Sequence, residues 1–154
     1  MKKPKFSLAD IDNSIIDLVD RATHKTLAIW AIDCVERILH FYEEAFQDDQ
    51  RPQKAIEELR RWINTGDFSM AVIRKAALDA HAAAREVGQD NAARSAARAA
   101  GQAVATAHVR THSLAAAQYA LQAIHRTANA PEAENQVARE RAWQYQRLIE
   151  LQGE

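Results

Sequence analysis

The chain has 154 residues, of which 47% are hydrophobic and 27% charged, and it carries a formal net charge of −1. That length and balance fit one folded domain over residues 1–154 and exclude a globally basic nucleic-acid binder. Only four glycines and three prolines occur, and no run alternates β-branched with polar residues. The sequence therefore predicts an all-α domain.

Neither export nor membrane insertion is predicted. Residues 1–6 are basic and are expected to form a loose tail, because no apolar stretch follows them as it would in a secretion signal. No apolar run reaches the roughly 20 residues that span a bilayer. The single cysteine, Cys34, has no intrachain partner for a disulfide, which is typical of a reducing compartment. We therefore predict a cytoplasmic protein without membrane contacts.

Two helices are predicted in the first third of the chain. Ser7 and Asp10 have the spacing of a capping box, and apolar residues recur at helical intervals until the first helix ends near Arg21. A second helix is predicted from about Lys25 to Phe46. It is apolar on most of its circumference, so we expect it to lie in the centre of the fold.

Capping residues mark the next three helices. The third is expected to begin at Pro52, which suits a first helical turn, and to end at Gly66. Ser69 can cap the fourth helix, which Gly88 ends. Asp90 is the predicted cap of the fifth.

Alanine dominates the segment from Ala71 to Ala128, which holds the fourth to sixth helices. Alanine has the highest helix propensity, and its small side chain lets helix axes approach closely. Pro131 then opens a seventh helix over residues 131–152. The predicted fold is a compact array of about seven helices with a closely packed, alanine-rich centre.

Two histidines have a spacing that metal sites use. His108 and His112 are four residues apart, which can place two ligands on one helical face, and Asp79, His81 or His125 could supply a third. The alternative is that these histidines lie at helix ends or in the core and are satisfied by hydrogen bonds. We favour the alternative, because the predicted helix ends between the two histidines, and we predict neither metal nor cofactor.

No constellation of catalytic residues stands out. Cys34 lies on the apolar stripe of the second helix, where a thiol behaves as an inert small hydrophobe. Asp33 and Glu36 lie on the narrow polar line of the same helix. They are expected either to pair with an arginine such as Arg74 or Arg85, or to face water. We therefore predict a protein that is not an enzyme.

The segment from residue 67 to residue 130 carries seven basic residues against four acidic ones. Such an excess can attract an acidic partner or nucleic acid, or it can be a solvated arginine face. Tyr119 is the only aromatic residue between Ser69 and Ala130, so platforms for stacking nucleic-acid bases are missing. We predict no nucleic-acid partner.

Several stretches of this sequence resemble a bacterial family. They are LAIWAIDCVERIL (27–39), RPQKAIEELRRW (51–62), AALDAHAAAREV (76–87) and AARAAGQAVATAHV (96–109). Together they resemble the family labelled "putative immunity protein", of the Imm-five-like kind. The resemblance covers Leu27 to Ile124. It implies a small cytoplasmic protein that neutralises a co-encoded toxin by binding it, without chemistry of its own.

The polar residues of the recurring pattern are candidates for partner binding or for a polar network between helices. They are Asp33, Arg37, Arg51, Arg74, His81, Arg85 and His108. Two other functions stay open at this point. One is a metal-binding protein or metal-dependent enzyme that uses Asp79, His81, His108 and His112. The other is a structural homo-oligomer built through an exposed apolar helix face.

Overall fold

In a computed structural model, which describes residues 2–153, the chain forms eight α-helices and no strand within those residues. They are α1 (Asn13–Arg21), α2 (His24–Glu36), α3 (His40–Glu43), α4 (Arg51–Thr65), α5 (Met70–Glu86), α6 (Ala92–Ala105), α7 (His112–Thr127) and α8 (Ala133–Gln152). The all-α prediction is confirmed. The helix count exceeds the predicted seven because the predicted second helix is divided into α2 and α3.

This division lies at residues 37–39. The backbone at Leu39 stays in the right-handed helical region, with φ −64° and ψ −28°. The hydrogen bonds, however, span three residues: Ile38 N–H donates to Val35 O, and Tyr42 N–H donates to Leu39 O, both at 3.0 Å. Tighter winding of this kind is typical of helix junctions. Because Arg37 and Leu39 both keep right-handed helical backbone angles, the apolar pattern runs across the junction and hides it in the sequence.

The first helix begins later than predicted. Asp12, not Ser7, is its cap: the Asp12 carboxylate accepts a hydrogen bond from Ser14 N–H at 2.9 Å. Ser7 instead begins a turn in which Asp10 N–H donates to Ser7 O at 3.2 Å. The predicted capping box is therefore wrong, because an aspartate closer to the apolar residues offers the helix an equivalent cap.

The N-terminal segment is bound to α7 rather than loose. The Lys3 ammonium donates to the carbonyl oxygen of His125 at 2.7 Å, and His125 Nε2 lies 2.7 Å from the carbonyl oxygen of Pro4. Further along, the Gln118 amide donates to the carbonyl oxygen of Leu8 at 2.9 Å. The prediction of a loose tail is wrong for these residues, because α7 offers partners that a local pattern does not reveal. The first residue of that tail lies outside the described residues.

The predicted helix stops are confirmed at two glycines. Gly66 and Gly88 adopt φ values of 73° and 84°, which favour glycine over residues with a Cβ. Ser69 caps α5 as predicted, by accepting from a backbone N–H of the first turn. The cap of α6 is Asn91 rather than Asp90, whose carboxylate instead pairs with an arginine one turn into the helix.

Helix α6 is buried on nearly all sides. It contacts α2, α3, α4, α5 and α7. Its buried residues are Ala92, Ala93, Ser95, Ala96, Ala97, Ala99, Ala100, Gly101, Ala103 and Val104. The helix expected in the centre, now α2, also contacts four others, but α6 has more neighbours. The close approach of helix axes in this alanine-rich region stays a prediction.

Bulky side chains form a second cluster where α2 meets α1, α7 and α8. Trp30 is buried there, and its indole N–H donates to the carbonyl oxygen of Gln144 at 2.8 Å. The buried Gln144 amide in turn donates to Ala117 O at 3.0 Å.

Within the described residues, no helix has the combination of length and apolarity that crossing a lipid bilayer demands.

Candidate functional site

Polar residues singled out in the sequence share one face of α5. Arg74, His81 and Arg85 follow one another at helical intervals, with Leu78 between the first two, so all four lie along one stripe. Arg74 and Arg85 are exposed, and Leu78 is 57% exposed, the highest value among the large hydrophobic residues. This stripe is therefore open to a partner.

Helix α6 lies antiparallel to α5 and adds one more arginine. The pairing of the two helices is fixed where the Arg94 guanidinium donates to the carbonyl oxygen of Ala84 at 3.0 Å. Further along, His81 packs against Gly101, and Arg98 lies one helical turn before Gly101. We call the surface formed by Arg74, Leu78, His81, Arg85 and Arg98 the α5–α6 face.

His81 is wedged between the two helices. Its Cε1 and Nε2 atoms lie 2.8 Å from the position that a Cβ on Gly101 would occupy. Its Nδ1 is buried without a hydrogen-bond partner in the described part of the chain. Burial, followed by the positive charges of Arg98 and Arg85, lowers the pKa of His81 to about 4. The ring is therefore neutral at physiological pH and separates the helices without adding charge.

Two other histidines of the sequence analysis, His108 and His112, lie near the end of this face, whereas His125 contacts the N-terminal segment from α7. His108 is exposed, and its ring stacks with Phe68 at a centroid distance of 6.2 Å. His112 Nδ1 lies 2.7 Å from the side-chain oxygen of Gln102 on α6. Burial, and secondly the charge of His108, lowers the pKa of His112. Both rings therefore have contacts that need no metal.

The alternative metal set of Asp79, His81, His108 and His112 is not assembled in the described residues. Asp79 Oδ2 accepts from the ammonium of Lys75 at 2.6 Å, one helical turn away on α5. In residues 2–153, no group of three or more histidine, cysteine, aspartate or glutamate side chains is placed to hold a metal ion. His81, His108 and His112 thus lie in one region without forming a ligand cluster.

The arginines of the α5–α6 face have no side-chain acceptor in the described part of the chain. Among the described residues, no carboxylate lies within salt-bridge distance of Arg74, Arg85 or Arg98. The acids close to them in sequence are already engaged: Asp79 with a lysine, and Glu86 with an arginine of α4. Three guanidinium groups therefore leave this face positively charged.

Arg51 lies elsewhere and joins three elements. Its guanidinium binds Asp49 at 2.6 Å and Glu86 at 2.9 Å, and the hydroxyl of Tyr42 donates to Asp49 at 2.7 Å. Hydrogen bonds from Arg51 hold the pKa of Asp49 well below its usual range. Burial, and secondly Asp49, raises the pKa of Tyr42. We name this group the Arg51 clamp; it holds α3 and α5 to the start of α4.

Asp33 and Arg37 form ion pairs with α8. Asp33 accepts from Arg147 at 2.8 Å, and Arg37 pairs with Glu140 at 2.6 Å. The Arg37 guanidinium also lies 4.0 Å from the ring centroid of Trp143. The expected ion pair of Asp33 is confirmed, but Arg74 and Arg85 are not the partners, because α8 rather than α5 packs beside this part of α2.

Two further residues of α2 have structural roles, Glu36 on the polar line and Cys34 on the apolar stripe. Glu36 pairs with Arg60 of α4, which again is not one of the arginines expected. Cys34 is a free, buried cysteine, and burial raises the pKa of its thiol well above the ordinary value. A thiol kept protonated in this way is a poor nucleophile.

The seven candidate residues thus separate into three places. Arg74, His81, Arg85 and His108 come together near α5 and α6. Arg51 instead holds α4 to its neighbours, and Asp33 and Arg37 each pair with a residue of α8. Arg98 and Leu78 were not among the candidates. The helical spacing of Leu78 with Arg74 and His81 indicates that Leu78 belongs to this face. The turn at Gly88, which folds α6 back along α5, indicates that a residue of α6 such as Arg98 lies beside it.

These features define an all-helical protein in which a positively charged, exposed surface is built on two packed helices. The chain belongs to the family described as "Imm-5 like putative immunity protein", whose model matches residues 17–151. The match confirms the family that the resemblance indicated and extends it into α1 and α8. No curated protein and no solved structure gives a significant match to the chain.

Proposed function

We propose that this protein is an immunity protein that binds a cognate bacterial toxin in the cytoplasm and neutralises it, without catalysis of its own. The observation that supports this most is the family match, which covers nearly the whole helical domain. A further support is that two exposed polar residues of the family-like pattern, Arg74 and Arg85, are carried by the long helix α5. Binding sites on such elements are held in place before the partner arrives.

Neutralisation would require only that this protein cover the active site of the toxin. A protein of this size can bury the roughly 800 Å² per partner that a stable interface needs, which is enough to mask an active site. In this mechanism no covalent bond forms or breaks in either protein. Affinity would come from an apolar centre and complementary charges, and inhibition would come from steric exclusion of the toxin's substrate.

The test is co-expression with the toxin encoded by the neighbouring gene. We expect cells that express the toxin to stop growing and cells that express both proteins to grow. An inactive toxin variant should co-purify with this protein as a complex of defined stoichiometry. Growth arrest that persists despite soluble expression, with no complex on gel filtration, would overturn the proposal.

A light-scattering measurement on the isolated protein addresses the homo-oligomer interpretation. We expect the molar mass of a monomer at micromolar concentration. A stable oligomer that binds no toxin would instead favour a structural role.

A further inference from the structure

We propose that the α5–α6 face is the docking surface for an acidic segment of the partner, one that presents two or more carboxylates around an apolar side chain. This inference rests on the proposed function and assigns it a surface and a partner chemistry. The occupant is a protein segment, and the toxin of the proposed function is the protein that supplies it.

The first argument is the unmet hydrogen-bonding capacity of the face. A guanidinium carries five N–H donors in a planar fork that matches a carboxylate, and such pairs are stronger than neutral hydrogen bonds. Arg51, Arg94 and Arg147 use this capacity within the fold. Arg74, Arg85 and Arg98 have no such partner among residues 2–153, although each lies on a helix that the fold holds in place. Carboxylates of a partner would accept hydrogen bonds from these unused N–H donors.

The second argument is spacing. Arg74 and Arg85 are eleven residues apart on α5, which corresponds to about 16 Å along the helix axis. Arg98 lies across on α6, about 8–10 Å away at typical helix separations. Leu78 is exposed between the charges. Interfaces commonly bury an apolar contact within a polar rim, and arginine is enriched among the residues that contribute most to binding.

The third argument is rigidity. His81 fills the gap between α5 and α6 and contacts Gly101, so the position of α5 relative to Arg98 is set before binding. Arginines held on packed helices lose less conformational freedom on binding than arginines on a loop. His81 is in this sense a positioning residue, since its neutral ring contributes no charge to the face.

The chemistry of the face favours protein over nucleic acid. The five residues that define it include no Phe, Tyr or Trp, and the His81 ring packs against Gly101 between the helices, so the face lacks the stacking platforms on which bases bind. The chain as a whole carries a net charge of −1, so it has no general attraction for phosphate backbones outside this small area. A second copy of this chain is the other protein occupant to test, because exposed acids occur around α3 at Glu43, Glu44 and Asp48.

The experiment compares two charge-reversed variants of the full chain in binding to the inactive toxin. The test variant carries Arg74→Glu and Arg85→Glu. The matched control carries Lys54→Glu and Arg139→Glu, which are likewise exposed basic residues on helices without an ion pair among residues 2–153. We expect Kd to rise on the order of 100-fold for the test variant, chiefly through slower association, and by no more than about 3-fold for the control.

Two further measurements sharpen the result. Addition of Arg98→Gln to the test variant should weaken binding again, and raising the ionic strength should weaken the wild type more than the variant. Circular dichroism and urea unfolding establish that each variant is folded. Since Arg74 and Arg85 are exposed, we expect unfolding curves close to that of the wild type.

The outcomes separate this inference from the proposed function. If the wild type binds no toxin, the proposed function fails. If the wild type binds and the test variant binds equally well, the function stands and the docking surface is wrong. If the isolated wild type self-associates and the test variant is monomeric, the occupant is a second copy, which also overturns the inference.

Discussion

His81 on α5 and Gly101 on α6 fit together so closely that two ring atoms of the histidine lie 2.8 Å from where a Cβ on residue 101 would be. Alanine in place of glycine inside a helix normally stabilises a protein by about 0.5–1 kcal/mol. Here we expect Gly101→Ala to lower the free energy of unfolding by about 1 kcal/mol, because the new methyl group collides with the ring. Urea unfolding measures the effect.

The control is the same substitution in a His81→Ala background. Without the ring the collision is gone, so Gly101→Ala should then raise the free energy of unfolding by the normal helix contribution of about 0.5 kcal/mol or more. We therefore expect Gly101→Ala to lower the free energy of unfolding of the wild type and to raise that of the His81→Ala variant. An equal effect in both would show that the ring does not rest on Gly101.

The lowered pKa of His81 predicts how stability depends on pH. In the unfolded chain the imidazole takes up a proton near pH 6.5, whereas in the folded protein it does so only near pH 4. Between these values the unfolded state binds more protons, so the free energy of unfolding falls as the pH falls from 6.5 towards 4. The lowered pKa of His112 acts in the same direction.

Urea unfolding of wild type and His81→Asn at neutral pH and at about pH 4.5 tests this dependence. The asparagine variant cannot titrate, so it should lose less stability on acidification than the wild type. Carboxylates whose pKa is also lowered, such as Asp49 and Glu86, begin to lose their contribution as the pH approaches their unfolded values of 3.8 and 4.5, but this loss is common to both proteins and cancels in the comparison. Equal losses in the two proteins would refute the assignment to His81.

Local sequence signals predicted much of this fold. Gly66 and Gly88 end helices where only glycine favours a positive φ, and Pro52, Ser69 and Pro131 located the starts of α4, α5 and α8 to within two residues. The same signals failed at residues 37–39, where three-residue hydrogen bonds leave the apolar stripe unbroken. A pattern of side chains does not record such a change in backbone bonding.

The candidate site was predictable only in part, because the packing of distant helices decides which charged residues pair. The stripe of Arg74, His81 and Arg85 follows from helical periodicity alone. Ion pairs such as Asp33 with Arg147 join residues 114 positions apart, and which helices pack together decides them. No local pattern contains that choice. The sequence therefore indicated which residues are polar on α5, but not that their expected partners are engaged elsewhere.

The Arg51 clamp predicts a stability effect that does not depend on binding. Arg51→Ala removes the partner of two carboxylates, one of them the half-buried Asp49, and should lower the free energy of unfolding by about 1 kcal/mol or more. Arg51→Lys should recover only a fraction, since an ammonium cannot match the bidentate fork. Lys75→Ala, in an exposed pair, serves as the control and should leave the urea midpoint unchanged.

The attachment of the N-terminal segment to α7 predicts resistance to proteolysis. Lys5 is exposed, but the backbone around it is held by contacts to His125 and Gln118. Gln118→Leu removes the amide donor, so trypsin should cleave after Lys5 several-fold faster than in the wild type. Gln146→Leu on the exposed side of α8 is the control. Equal cleavage rates, followed by mass spectrometry, would mean that the segment is loose after all.

Leucine substitutions test whether the alanine-rich centre is closely packed. Ala80 and Ala100 are both completely buried, on α5 and α6, where added methyl groups have no space if the helix axes lie close together. Ala80→Leu and Ala100→Leu should each lower the free energy of unfolding by about 1–3 kcal/mol. The control is Ala71→Leu, at an exposed position of α5, which should change it little. If all three variants unfold at the wild-type urea concentration, the helices have room for leucine and the prediction of close packing is wrong.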